Sequence, residues 1–380
     1  NYNTVVGDEA GTAITTGDLM TAVGYKALFT EDTGERSTAV GAYALTLQNS
    51  AVENYNVAVG YNAGGAVTTG VNNTLIGGLA GDAITTGDAN VAVGHASLSA
   101  NTTGENNTAL GQASLLANTT GYQNVGIGIN ALGSNTTANN NVAVGVNGLL
   151  VNTTGTSNTA LGSFALDANT TASNNTAVGY ASLGANTTGQ QNTAVGGLCL
   201  DANTTGDYNN AFGYLALTRN TTGVRNTALA RSTLETNTTG SYNVAVGMDA
   251  LAANTTADNN TAVGYLSLSA NTTGPRNTGI GGSAGASITT GDNNTCLGYN
   301  SGVATTTLTT GYQNTLIGTY VHTSAVDTAA AFGLGYNLSC EGGYTTLGAG
   351  ASDIRAAHGN VTWATVSDER YKKDIVDSTA

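Results

Sequence analysis

Charge is scarce in this chain: Asp, Glu, Lys and Arg together make up 9% of its 380 residues. What charge there is leans one way, with 24 acidic and 10 basic residues and a net charge of −14. That balance disfavours binding to nucleic acid or anionic lipid, which need basic surfaces, so neither is expected as a partner. Cysteine is nearly absent as well, and the three that occur, Cys199, Cys296 and Cys340, are too few and too scattered for a disulfide framework. No apolar run is long enough to span a membrane, so no membrane insertion is expected. His95, His322 and His358 lack the Cys or carboxylate spacing of a zinc site, and no metal or cofactor is expected. Proline appears once and tryptophan once, at Pro275 and Trp363.

Glycine, asparagine and threonine fill the space these residues leave, and such a composition alone would suit a disordered low-complexity tract. The spacing argues otherwise. Residues 175–191 read Asn-Thr-Ala-Val-Gly-Tyr-Ala-Ser-Leu-Gly-Ala-Asn-Thr-Thr-Gly-Gln-Gln, and variants of this sentence recur along the chain. The marker Gly that follows Ala-Val returns from Gly7 to Gly318 at a 17-residue step, with Ala230 once in its place. Two insertions interrupt the step, of two residues before Gly60 and of three before Gly318. A fixed short period over so long a stretch predicts stacked, near-identical turns: an all-β fold, a parallel β-roll or β-solenoid of 17-residue repeats. The chain opens at Asn1 already inside a repeat, as expected of a piece of a longer protein.

Within one repeat, an aliphatic residue such as Val178 precedes the marker and a leucine such as Leu183 follows four residues after it. We read these as two short strands joined at a corner, each supplying one large apolar side chain to the interior. Where the Leu is replaced by Gly64, Gly81 or Gly285, an aliphatic appears three residues later, at Val67, Ile84 or Ile288. The two positions therefore read as alternative fillers of one interior space. Cys199 and Cys296 stand where other repeats carry Ala or Ser and read as small core residues, whereas Cys340 lies outside the regular array.

Two asparagine columns accompany this core. One lies four residues before the marker and includes Asn90, Asn107, Asn124, Asn141, Asn158 and Asn175; the other lies seven residues after it, from Asn101 to Asn271. Stacked amides at strand spacing can hydrogen-bond along the stack, so both columns are predicted to be structural ladders. The Thr-Thr-Gly after the second column predicts a turn with the Gly at positive φ. The same Asn-Thr-Thr triplets are formal glycosylation acceptors, but glycans on consecutive turns about 4.8 Å apart would crowd one another, and the turn reading is preferred. Recurrent tyrosines after the marker, among them Tyr25, Tyr61 and Tyr180, predict an exposed aromatic stripe used for stacking or for sugar contact. His95 shares that position and reads as a surface ring.

A turn of 17 residues traces at most roughly 56 Å, which encloses little beyond its own side chains. No buried catalytic pocket is expected inside it. One turn also buries too little to order itself, so stacked neighbours and association between chains must supply the difference, and a homotrimer is expected.

The unit Asn-Thr-Ala-Val-Gly-x-x-Ala-Leu resembles the Asn-Ser-x-Ala-Ile-Gly-x-x-Ala repeat of trimeric autotransporter adhesin heads, over about residues 1–318. The resemblance implies a left-handed parallel β-roll with three chains to a head and adhesion to surfaces; the period of 17 is longer than that family's usual one of about 14. After Gly318 the register loosens, and Phe332-Gly333 and Leu347-Gly348 read as two shorter repeats in a terminal element over residues 319–366. Ser367-Asp-Glu-Arg-Tyr-Lys-Lys-Asp-Ile375 then resembles the opening of the intramolecular chaperone domain of phage tail fibres and endosialidase-type tailspikes. That resemblance implies that residues 367–380 start a chaperone that assists trimer assembly and cuts itself off before Ser367. Ser367 would be the nucleophile and Lys372 its base, competent only when the rest of that domain is present. A plainer reading makes Ser367 the N-cap of a charged helix.

The expected function is that of a structural and adhesive virion protein, a tail-fibre shaft that carries contact with a host cell-surface receptor, glycan or protein. A bacterial trimeric adhesin head is the alternative. An enzymatic tailspike would need a carboxylate pair in a groove, and Asp and Glu do not recur in the repeat. An ice-binding solenoid, suggested by the Thr columns, would need one flat double row, which adjacent Thr residues on a strand cannot form unless the turn intervenes; thermal hysteresis tests it.

Overall fold

The structure is a computed structural model that describes residues 2–303, 307–359 and the backbone of 364–365. It is all-β, with no helix among the described residues, and it is a parallel β-solenoid with a 17-residue step. The chain divides into two compact units, Asn1–Gly206 and Asp207–Ala380.

In the first unit, three-residue strands recur once per turn from Thr4–Val6 to Thr193–Val195. Their Thr/Val-Ala-Val composition suits extended backbone, because β-branched side chains fit a pleated surface. Each strand pairs in parallel with its counterpart one turn on: Thr159 with Thr176, Ala160 with Ala177, Leu161 with Val178. The two-residue insertion leaves this ladder intact, since Val40 still pairs with Val59, and it is absorbed in a loop where Glu35 and Glu53 form an isolated bridge.

The alternation runs opposite in size to the sequence expectation. The middle residue points inward: Ala22, Ala39, Ala160 and Ala177 are fully buried. The large aliphatic before the marker points outward, and Leu110 and Leu161 are 45% and 48% exposed. With a period of two, only one of the three residues can face in, and the narrow interior at this level admits Ala opposite the larger Leu. Leu183 and its equivalents, such as Leu98, Leu115 and Leu166, do fill the core with no exposure.

Among the described residues of the first unit, a turn has no second strand. The residues after the marker form consecutive turns in which the second and fourth take positive φ, as at Ala181 (φ 49°) and Leu183 (φ 53°). Left-handed residues at alternate positions prevent an extended backbone. These turns still hydrogen-bond to the next coil, Leu183 N–H donating to the Cys199 carbonyl at 2.9 Å. The exchange of Leu for Gly thus has a conformational side: Gly64 and Gly81 sit at φ 60° and 56°, where Gly is unstrained. The space is filled by Val67 and Ile84 and by Leu75, which replaces the usual inward Ala; all three are fully buried.

In the second unit the same strands run from Asn210–Phe212 to Thr315–Ile317. The three-residue insertion before Gly318 lies between Gly302 and Leu308, a stretch in which residues 304–306 are outside the described residues. Beyond it the step of 17 continues, because Ile317 pairs with Leu334 and Leu316 with Gly333. The next marker is therefore Gly335, and Gly333 takes the inward position instead. Gly335 in turn pairs with Gly348, a shortened step of 13. A side pair, His322–Thr323 with Ser339–Cys340, accompanies this region. Tyr344–Ala349 then pairs antiparallel with Ser352–Ala357, which ends the parallel succession. Cys340 lies in this closing region and is fully buried.

Candidate functional site

The two asparagine columns are buried hydrogen-bond ladders. In the first, each Asn stands where the chain enters the strand, and its side chain bridges to neighbouring coils. Asn124 accepts at Oδ1 from the backbone N–H of Asn141 at 3.0 Å, and its own N–H donates to Asn107 Oδ1 at 3.1 Å. Its Nδ2 donates to the Ala138 carbonyl at 2.8 Å. Asn90, Asn107, Asn141, Asn158 and Asn175 occupy equivalent places, all fully buried. In the second column Nδ2 runs to the previous Asn Oδ1 and to a local carbonyl, as Asn118 does to Asn101 and Gly121, both at 2.9 Å. Within the second unit this column ends at Asn271, whose Oδ1 is buried without a partner because the next coil carries Ile288.

Near the start of the first unit, Glu31 and Gln48 replace Asn in that column, and both are fully buried. Glu31 receives Gly34 N–H at 2.8 Å, Gln48 Nε2 at 2.7 Å and Asn54 Nδ2 at 3.2 Å. Three donors converge on one carboxylate, which substitutes hydrogen bonds for a cationic partner. Of these donors, Asn54 belongs to the loop that absorbs the insertion.

The Gly of Thr-Thr-Gly does not take positive φ. Close packing favours it instead: a Cβ on Gly189 would lie 2.5 Å from the Gly206 carbonyl oxygen and 2.6 Å from Asn186 Oδ1. Ala138, Ala172 and Ala257 nevertheless fit there, buried. The left-handed residue comes two positions later, at Gln191 (φ 56°) and its equivalents. Within the Thr pair the first hydroxyl is committed to the stack, Thr102 Oγ1 donating to the Thr119 carbonyl at 3.1 Å, and the second Thr is exposed.

Outside, the tyrosines form short clusters. Tyr25 and Tyr61 are 37% and 60% exposed, and each meets Tyr43 edge to face at 5.3 and 5.9 Å. Tyr43 reaches this gap from the second position after its marker, because the first is the small Ala42. Phe164 reaches Tyr180 in the same manner, at 5.9 Å. In the second unit Arg225 stacks between Tyr208 and Tyr242, 5.2 and 5.4 Å from their centroids. His95 is exposed, whereas His322 is buried with Nδ1 3.0 Å from the Thr323 carbonyl.

At two half-buried acidic side chains, burial disfavours the charged form. Asp167 and Asp201 flank Gly184, and a Cβ on that glycine would lie 3.5 and 2.9 Å from their Oδ1 atoms. Burial pushes both carboxyls above the usual range, and at Asp167 the charge of Asp201 adds to the rise. Burial likewise pushes the thiols of Cys199, Cys296 and Cys340 up to about 12.

Ser367 and Lys372 lie outside the described residues. The described part therefore brings together ladders and surfaces. One surface recurs at every turn of both units, the outward sheet face of the strands: Thr or Val at the first position, with Asn210 the one exception, and Val, Ile, Leu or Phe at the third. The repeat pattern contained the signal for this face, since every third-position residue is large and every middle one is small in most turns. No protein-family model, curated protein or solved structure matches the chain.

Proposed function

We propose that this protein is the shaft and near-tip part of a viral tail fibre, a structural and adhesive virion component that carries contact with a host cell-surface receptor. The reading takes the coil as left-handed and the assembly as a homotrimer. Residues 367–380 open a chaperone that assists trimerisation. The observation that carries it is the combination of a 17-residue parallel solenoid with the Ser367–Ile375 motif, a pairing that a bacterial adhesin head has no need for. The buried ladders and the buried leucine column suit a long, ordered shaft, and the exposed aromatic clusters supply surfaces suited to a glycan or protein receptor.

The test is the native mass of a longer product that includes the residues downstream of the motif, measured by light scattering and intact mass. The expected product is a trimer of chains cut before Ser367, with Ser367→Ala blocking the cut but not assembly. An uncut monomer would overturn the proposal.

A further inference from the structure

We infer that the outward face of the three-residue strands is the surface through which copies of this chain pack on one another, parallel and in register. The inference rests on the homo-oligomeric reading above and adds the face that makes it. Parallel sheets occur almost only with both faces covered, and a sheet with one wet face alternates apolar in and polar out. Here the pattern is reversed in size: alanine is inside and the bulkier aliphatic residue is outside. In the first unit Val59, Leu110 and Leu161 are 37–48% exposed; in the second, Phe212, Leu229 and Leu297 are 39–46% exposed.

Charge is excluded from this face. No Asp, Glu, Lys or Arg occupies the first or third position of any three-residue strand from Thr4–Val6 to Thr315–Ile317. Charged residues occur instead at the turns, as at Asp88, Glu105, Asp167 and Arg225. A face kept only for water would tolerate charge, whereas a face buried on association would not.

The spacing identifies the occupant. The outward side chains form rows repeating at the strand separation of about 4.8 Å. Over many rows, only a surface with the same repeat can interdigitate without losing register, and another copy of this chain has it. In the first unit the strands make a face about 55 Å long and about 10 Å wide, and the side chains after the marker widen it. That strip is about 550 Å² before the flanking side chains are added, against the roughly 800 Å² per partner of a standard interface, and the strands of the second unit carry the same face. An ice surface is disfavoured, because the third position varies among Val, Ile, Leu and Phe and so offers no lattice match.

The test compares the full chain with a Val144→Glu/Val178→Glu double variant by light scattering. Both residues face outward and neither belongs to the buried core. Thr103→Glu/Thr137→Glu, on the exposed Thr column, serves as the control. The expected result is that the wild type and the control are oligomers, while the double variant falls to the mass of one chain with its far-UV spectrum retained. An oligomeric double variant would overturn the inference and leave the fibre reading standing. A monomeric wild type would overturn both, and thermal hysteresis of that monomer would identify the face as an ice surface. Should the double variant fail to fold, oxidation of a Leu161→Cys variant decides the matter. Chains linked through the introduced thiol support the inference, and an oligomer that does not cross-link refutes it.

Discussion

Individual residues carry strain that the repeat ordinarily avoids. Ala230 stands at φ 130° in the marker column, where its counterparts Gly179 and Gly264 take φ 131° and 129°. Such a conformation costs an L residue about 1–3 kcal/mol, and glycine's extra unfolded-state entropy returns about 0.4–1 kcal/mol of that. Ala230→Gly is therefore expected to stabilise the protein by about 1 kcal/mol in denaturant melts. The reverse change, Gly179→Ala, would place Cβ 2.6 Å from the Gly196 carbonyl and is expected to destabilise. Asp167 and Asp201 are a second case. Their raised carboxyl values mean that the folded state penalises the charged form, so their contribution is most favourable below the ordinary aspartate range. It is lost as pH rises through the higher folded values. Asp201→Asn should raise the melting temperature at neutral pH and lose that advantage in acid; an equal shift at both pH values would contradict this.

At the scale of one coil, the inward and outward sides of the repeat should respond differently to truncation. Leu183 is fully buried, and Leu183→Ala is expected to cost about 2–5 kcal/mol through lost burial and a residual cavity. Val178 lies half-buried on the outer face, and Val178→Ala should cost the isolated chain less than about 1 kcal/mol. Urea melts at low protein concentration would separate the two. Asn124→Ala removes the acceptor of the Asn141 N–H in a buried site, for an expected loss of about 2 kcal/mol. These contrasts were only partly legible beforehand. Period and amide columns could be read directly, because identical residues at identical spacing define a stack. The left-handed φ of Leu183 could not, since leucine does not favour it and only the closed coil imposes it.

For each unit as a whole, register matters more than local composition. Deleting residues 142–158 removes one repeat and rejoins equivalent positions, so the first unit should keep its fold and a cooperative melt. Deleting 142–157 instead shifts the following strands by one residue relative to the preceding coils. Inward Ala would then oppose outward Thr or Val, and the ladder of Asn141 would be broken. Loss of cooperative melting is expected for the 16-residue deletion alone. Similar behaviour of both deletions would mean that the coils are not coupled through register.

Sequence alone determined the period, the all-β class, the buried leucine and the two asparagine columns, because each is a statement about spacing that survives without coordinates. It also located the alternative filling of the core by Val67, Ile84 and Ile288. Which side of the strand faces in was decided only by tertiary structure. Ala-Val alternation specifies opposite faces but not their direction, and the width left by the opposing leucines admits alanine and turns valine outward. The same closure replaced an expected second strand with left-handed turns and assigned Gly189 to a close backbone approach instead of a positive φ. It also carried the 17-residue step on to Gly335, where local pattern had pointed to Gly333. In each case the deciding contact joins residues about 17 apart, and a single repeat read by itself does not contain it.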